Sequence, residues 1–77
     1  MNEFYYWLQG ELEDELRKIY EIHNIRVFDK RFYIWFLSNK DSISIPLNVM
    51  ENIFNNGRSI KELSAIIDSM YLARIKK

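Results

Sequence analysis

The stretch that most constrains the fold of this chain is RFYIWFL, residues 31–37, because its residue types favour a strand that is apolar on both faces. Side chains alternate across a strand. One face would receive Phe32, Ile34 and Phe36, and the other would receive Tyr33, Trp35 and Leu37. A single domain of 77 residues buries only about 60% of the surface that its unfolded chain exposes. The chain is therefore too small to cover this strand twice, and we expect one face to lack cover.

The residues around this strand predict a small antiparallel meander of two to three strands. Two further β-rich runs, IRVF at 25–28 and SISI at 42–45, flank it. The runs are separated by Asp29-Lys30 and by Asn39-Lys40-Asp41, residue types that favour tight turns. Turns this short join antiparallel neighbours, so the runs should pair in the order in which they occur.

The N-terminal residues predict an amphipathic helix. Apolar side chains and the histidine recur at intervals of three and four, which places on one helical stripe Tyr5, Leu8, Leu12, Leu16, Ile19 and His23. Charged residues, most of them acidic, occupy the opposite face, and Asn24 is a plausible stop signal.

Two helices are predicted after the meander. Pro46 suits the first turn of a helix, Asn56-Gly57 suits its end, and Ser59 with Glu62 forms a capping box that starts the next helix. The inner stripes would be Leu47, Met50, Ile53 and Phe54 in the first helix and Ile60, Leu63, Ile66, Ile67 and Met70 in the second. The predicted fold class is α+β, a single domain over 1–77 with the order helix, meander, helix, helix.

The chain lacks the groups from which enzyme sites are built. It has no cysteine, one histidine and two glycines, so a Cys/His zinc site and a glycine-rich phosphate loop are both excluded. The acids at 11–15 should fan around the predicted helix instead of converging on a cation. We therefore predict a protein that is not an enzyme, with no catalytic residue, no cofactor, no metal and no small-molecule substrate.

The chain has no cysteine and no Asn-x-Ser/Thr sequon, which favours a cytoplasmic protein, and its charge and N-terminal residues give no sign of a membrane protein. Eleven Lys and Arg residues balance eleven Asp and Glu residues, so no global field draws the chain to nucleic acid or to a membrane surface. The first residues include an acid, Glu3, and an apolar run of only five residues at 4–8. We expect neither a signal peptide nor a membrane span.

Aromatic residues gathered in two short windows predict a protein-binding module. The N-terminal window, 4–7, should use few of its rings inward, which leaves Tyr6 and Trp7 at a rim. The remaining predicted interface residues are the adjacent acids Glu11, Asp14 and Glu15, and the sheet residues Tyr33 and Trp35. Exposed Tyr and Trp beside charge are typical of interfaces. The partner would be a different protein or a second copy in a homodimer.

The biological role expected for such a module is regulation or inhibition by occupying its partner. The small size, the bias toward Ile, Lys and Asn, and the missing catalytic groups are typical of accessory proteins from an AT-rich bacterium, its phage or another mobile element. The partner would then be a nucleic-acid-processing or regulatory protein.

An alternative function is DNA binding, because residues 45–68 resemble the opening of a trihelical helix-turn-helix domain, with glycine in the turn and a Ser cap. The tail at 69–77 would follow as a recognition helix, although 59–75 reads equally well as one continuous helix. The resemblance implies DNA contacts by Arg58, Lys61, Arg74, Lys76 and Lys77. A net charge of only +2 over 46–77 offers few phosphate contacts.

A second nucleic-acid alternative uses the sheet. Tyr33 and Trp35, with Arg26, Arg31 and Lys40 nearby, would stack unpaired bases.

Overall fold

The computed structural model describes residues 3–37 and 41–75, and over this part of the chain it has the predicted α+β order. The N-terminal helix, residues 3–19, consists of α1 (Glu3–Tyr6), a π-helical turn (Trp7–Glu11) and α2 (Leu12–Ile19). The strands are β1 (Ile22–Phe28), β2 (Arg31–Phe36) and β3 (Ser42–Pro46). Two helices follow, α3 (Leu47–Asn55) and α4 (Ile60–Ile75).

The strands form an antiparallel sheet in the order β1-β2-β3, which confirms the meander. Asp29 and Lys30 make the β1–β2 turn with φ of 51° and 61°, as the two-residue hairpin turns that match strand twist require. This turn pairs Phe28 with Arg31, and it thereby sets which side chains of both strands point outward. The Leu47 amide donates to the Lys30 carbonyl at 3.0 Å, so the start of α3 is fixed to the same turn.

The two faces of β2 differ as predicted. Phe32, Ile34 and Phe36 are buried, whereas Tyr33 and Trp35 on the other face are half-buried. The helices pack on the buried side, where they join the strands in one apolar core that includes Leu8, Leu12, Leu16, Met50, Ile53, Leu63 and Ile67. Hydrophobic burial on this side is the main force that holds the sheet and the helices together.

The N-terminal helix buries a different stripe from the predicted one. Tyr5 and Ile19 are 42% and 52% exposed, while Phe4 and Trp7 are buried. The buried residues Phe4, Leu8, Leu12 and Leu16 are each four apart, and four residues turn an α-helix by about 400°, so this stripe drifts by about 40° at each step. The wider π turn, in which the Leu12 amide donates to the Trp7 carbonyl, offsets part of that drift.

The N-terminal helix ends at Ile19, earlier than the predicted stop at Asn24, and His23 lies on β1 instead of on a helical stripe. Strand pairing outcompetes further helix here, because Ile22 pairs with Phe36. The Arg17 guanidinium donates to the Ile22 carbonyl at 2.9 Å and fastens the helix end to β1.

Tyr20 links the same corner of the molecule to α4. Its hydroxyl donates to Asp68 Oδ1 at 2.7 Å, and its ring meets Phe36 edge-on at 6.0 Å. Burial, followed by the hydrogen bond to the Asp68 carboxylate, raises the pKa of Tyr20 above its ordinary value of 10.0.

The turn between α3 and α4 follows the predicted capping chemistry. Gly57 has a φ of +105°, and the Arg58 amide donates to the Ile53 carbonyl at 2.9 Å. Ser59 Oγ accepts from the Glu62 amide at 3.2 Å, which is one half of the capping box. From Ile60 to Ile75 the chain is one continuous helix, so the trihelical arrangement implied by the helix-turn-helix resemblance is wrong.

Candidate protein-binding surface

The side of the sheet that points away from the helices carries the outward side chains of the strands, and we call it the open face. Its members are Asn24, Arg26 and Phe28 from β1, Arg31, Tyr33 and Trp35 from β2, and Ser42, Ser44 and Pro46 from β3. Each is half-buried or exposed, whereas the intervening residues of β2 and β3 are buried. The structure thus brings two predicted interface residues, Tyr33 and Trp35, onto one surface.

A stacked aromatic pair lies on the middle strand of the open face. The ring centroids of Tyr33 and Trp35 are 5.5 Å apart and their planes differ by 24°. Phe28, which is 69% exposed, lines a shallow groove with this pair and with Arg26 and Val27. The groove therefore has aromatic walls and a cation at its edge.

Trp35 separates this groove from a second hollow. The second hollow is lined by Trp35, His23, Phe36 and Leu37, and Leu37 is 54% exposed. Trp35 therefore lines two apolar depressions, while one side of its ring stacks on Tyr33. This makes Trp35 the centre of the candidate surface.

Phe28 belongs to the candidate surface, although it was not predicted from the sequence. The signal was present, because a two-residue turn at Asp29-Lys30 pairs Phe28 with Arg31, and residues opposite one another share a face. Tyr33 lies two residues beyond Arg31 and so on the same face. Assigning the hairpin register would have placed Phe28 beside it.

The charges on the open face are positive. Arg26 is exposed opposite Tyr33. Arg31 Nε donates to Ser44 Oγ at 2.9 Å, and its Nη2 donates to the Ser44 carbonyl at 3.4 Å, so this guanidinium is held in place. Among the described residues of the open face there is no Asp or Glu. The face is therefore aromatic and cationic, although the chain as a whole is neutral.

The N-terminal group of predicted interface residues is less exposed than expected. Trp7 is only 3% exposed, since its ring packs on Phe54 with centroids 5.4 Å apart, so its predicted place at a rim is wrong. Tyr6 is 62% exposed and lines a small hollow with Glu3, Trp7, Glu11 and Arg58. Because nearly all of the Trp7 indole is buried in the core, this surface has less exposed apolar area than predicted.

The acids predicted beside these aromatics lie on the outer side of the N-terminal helix. Asp14 and Glu11 are exposed, and Glu15 is half-buried with its carboxylate 3.3 Å from Lys18. Arg17 makes a second ion pair with Glu13 at 3.1 Å. Exposed pairs of this kind contribute about 0.2–1 kcal/mol each.

Of the residues of the DNA-binding alternative, the structure describes Arg58, Lys61 and Arg74, and it does not bring these three together. Arg58 lies in the turn before α4 with its guanidinium carbon 4.4 Å from the centroid of the Phe54 ring, and Lys61 is exposed in the first turn of α4. Arg74 belongs to the last turn of that helix, about 20 Å away at 1.5 Å per residue. Lys76 and Lys77 lie outside the described residues, as does Lys40 of the base-stacking alternative.

Within the part of the chain that the structure describes, no three His, Asp or Glu side chains converge as a metal site would require. No helix in that part combines the length and apolar character needed to cross a membrane. The chain matches no protein-family model, no curated protein and no solved structure.

Proposed function

We propose that this chain is a non-enzymatic protein-binding module that uses its open face to bind a partner protein and regulates or inhibits that partner by occupying it. The observation that carries this proposal is the stacked Tyr33–Trp35 pair, set beside Phe28 and two arginines on the side of the sheet opposite the core.

The residue types of the open face are those that supply most of the binding energy in protein interfaces. Trp, Tyr and Arg are enriched among interface residues whose truncation costs more than about 2 kcal/mol. Stacking against Tyr33 already restricts the Trp35 ring, and hydrogen bonds to Ser44 restrict Arg31. Side chains ordered before binding lose less entropy when a partner arrives.

A protein partner fits this face better than single-stranded nucleic acid does. Proteins that bind single strands stack successive bases on separate aromatic rings and follow the phosphates with a charged groove. Here Tyr33 and Trp35 already stack on each other, so each ring has used one of its faces. On the described part of the face there are two cations, Arg26 and Arg31, whereas such a groove follows several phosphates.

Duplex DNA binding has less support than protein binding. The predicted recognition helix is not a separate helix, because α4 is continuous from Ile60 to Ile75. Arg58 and Lys61 lie at the opposite end of α4 from Arg74, so they do not form a compact basic footprint.

Regulation by occupancy follows from the size and chemistry of the module. A chain of this length with an aromatic, cationic face brings no reactive group to its partner, so its effect on that partner is to cover a surface and exclude competing ligands. In a bacterial or phage setting, this role suits an inhibitor of a nucleic-acid-processing or regulatory protein.

The experiment that tests the proposal is a comparative pull-down from a bacterial lysate, run with and without nuclease treatment. The baits are the wild-type chain, Trp35→Ala, and Leu72→Ala as a matched control, since Leu72 is 53% exposed on α4 and outside the open face. We expect wild type and Leu72→Ala to retain the same protein and Trp35→Ala to lose it. Circular dichroism of each bait checks that the fold is intact.

Two outcomes would overturn the proposal. One is a protein retained equally by all three baits, because the open face would then not be the binding surface. The other is retention that disappears with nuclease treatment and falls steeply between low and moderate salt, which is the behaviour of nucleic-acid binding.

A further inference from the structure

We infer that the open face binds an acidic segment of a different protein, and not a second copy of this chain. This inference rests on the proposed function, because it names the partner of the same surface. Three features carry it: the pattern of arginines among the aromatic rings, the missing counter-charge, and the area of the face.

The arginines and aromatic rings of the open face alternate in two neighbouring rows. Arg26 lies opposite Tyr33, and Phe28 lies opposite Arg31. The two arginines are thus diagonal neighbours, a relation that separates Cβ atoms by roughly 7–8 Å. Acids two apart on an extended segment are separated by about 6.6–6.8 Å on the same side, so one such segment can reach both guanidinium groups.

No acidic group of the described open face neutralises these cations. The acids nearest to them in sequence are Asp29, in the β1–β2 turn, and Glu21, just ahead of β1, and Asp41 lies just ahead of β3. The acidic residues of the N-terminal helix belong to the element that packs on the other side of the sheet. An apolar partner would therefore bury Arg26 without a counter-charge, whereas carboxylates would pair with it.

A second copy of the chain fits the face poorly for two reasons. A two-fold dimer brings the same patch of each subunit together, so the arginines of both copies would meet without an acid between them. The area is also small. The face offers nine described residues, whereas a standard interface uses about 20–30 residues on each partner.

Pairing the open face with the acidic helix of another copy would not close a dimer. The two surfaces lie on opposite sides of the molecule, so such a contact is head-to-tail and continues into a ring or a filament. A short acidic segment of another protein can bind a face of this size, and its contact does not have to be symmetric.

A selection of random 12-residue peptides displayed on phage tests the inference. The immobilised protein is the wild-type chain, with Trp35→Ala as a parallel selection that identifies peptides dependent on the open face. We expect the Trp35-dependent peptides to be enriched in Asp and Glu relative to the starting library. A synthetic peptide of the consensus sequence is then titrated against variants by fluorescence anisotropy.

We expect Arg26→Glu to weaken binding of that synthetic peptide about tenfold or more, and Arg26→Lys to weaken it less. Lys18→Glu is the matched control: it makes the same charge reversal on the N-terminal helix, at a side chain that is 71% exposed, and should leave the affinity unchanged. Replacing the acids of the peptide by Asn or Gln should cost as much as Arg26→Glu does.

The outcomes separate this inference from the function on which it rests. Trp35-dependent peptides without an excess of acids would overturn the acidic partner and leave protein binding in place. A selection that yields no Trp35-dependent peptide would overturn both. Tighter binding of oligo(dT) than of the consensus peptide, or a dimer in sedimentation equilibrium that Trp35→Ala dissociates, would replace the acidic segment by a nucleic acid or by a second copy.

Discussion

The two tryptophans of this chain sit in similar aromatic surroundings in the sequence and in opposite surroundings in the structure. Trp7 lies in the run FYYW and is 3% exposed, packed against Phe4 and Phe54. Trp35 lies in the run FYIWF and is half-buried on the open face, where its described ring contact is with Tyr33. The difference comes from the elements that carry them.

A helix and a strand handle surplus apolar residues differently. A helix can rotate about its axis, and the N-terminal helix also carries a π turn, so both Phe4 and Trp7 reach the core. A strand has only two faces, and burying Ile34 obliges its neighbours to point the other way. Surplus aromatic surface therefore persists on β2, and the sheet is the more promising place for a binding site.

Replacing each tryptophan by alanine gives the largest expected contrast. Trp7→Ala should lower the free energy of unfolding by about 3–5 kcal/mol, because it leaves a cavity between the N-terminal helix and α3. Trp35→Ala should cost about 1–2 kcal/mol, mainly the lost contact with Tyr33. Urea titrations followed by circular dichroism measure both. Equal losses would mean that the indole of Trp35 is as fully packed as that of Trp7, contrary to the open face.

Alanine substitutions at two adjacent residues of β2 compare the buried face with the open face within a single strand. Ile34→Ala should lower the free energy of unfolding by about 2–5 kcal/mol, since Ile34 is fully buried between Ile25 and Ile43. Tyr33→Ala, one residue earlier on the same strand, should cost about 1 kcal/mol and should instead weaken binding to the partner. If Tyr33→Ala unfolded the chain as readily as Ile34→Ala, the two faces of β2 would not differ as described.

The sequence was sufficient for the features that depend on local chemistry. Alternation along residues 31–36 placed Ile34 inward and Trp35 outward, and the Gly57 and Ser59 signals marked the turn between α3 and α4. The α+β order followed from these local patterns, because the period of the apolar residues changes from helical to alternating and back.

The features that were not predicted depend on contacts distant in sequence. Both Tyr5 and Trp7 fit a helical apolar pattern, and the choice of Trp7 rests on Phe54, far along the chain. The helix ends before His23 because Ile22 pairs with Phe36 across the sheet. For the candidate site, alternation predicted that Tyr33 and Trp35 share one face of β2, whereas nothing in the sequence indicated that Phe54 would cover Trp7.

The β1–β2 turn decides which face of the sheet is open. Relief of the backbone strain in this turn should have a smaller effect on the free energy of unfolding than the substitutions above. Lys30 has a φ of 61°, a region that costs a residue with a side chain about 1–2 kcal/mol and costs glycine almost nothing. Lys30→Gly should raise the free energy of unfolding by about 0.5–1 kcal/mol, the gain being reduced by the greater entropy of glycine in the unfolded chain. Lys18→Gly, in the last turn of α2, should instead lower it, by at most about 1 kcal/mol, because glycine is a poor helix former. A loss with Lys30→Gly, measured in urea, would contradict the left-handed turn.

Removal of the Tyr20 hydroxyl should have the smallest effect on the free energy of unfolding, and this effect should be confined to the side of the sheet that the helices cover. Its pKa is raised in the folded chain by burial and by the Asp68 carboxylate, so the folded state holds the phenolic proton more tightly than the unfolded state does. The stability that this hydrogen bond contributes is fully present below pH 10 and is lost as the pH rises through the folded pKa. We therefore expect the difference in free energy of unfolding between wild type and Tyr20→Phe to shrink as the pH rises above 10.0, the ordinary pKa of tyrosine, while groups common to both chains cancel. A difference that grew with pH would require the opposite shift of the pKa.

Because Tyr20 lies away from the open face, Tyr20→Phe should leave the affinity of the folded chain for its partner unchanged, which separates stability on one side of the sheet from binding on the other.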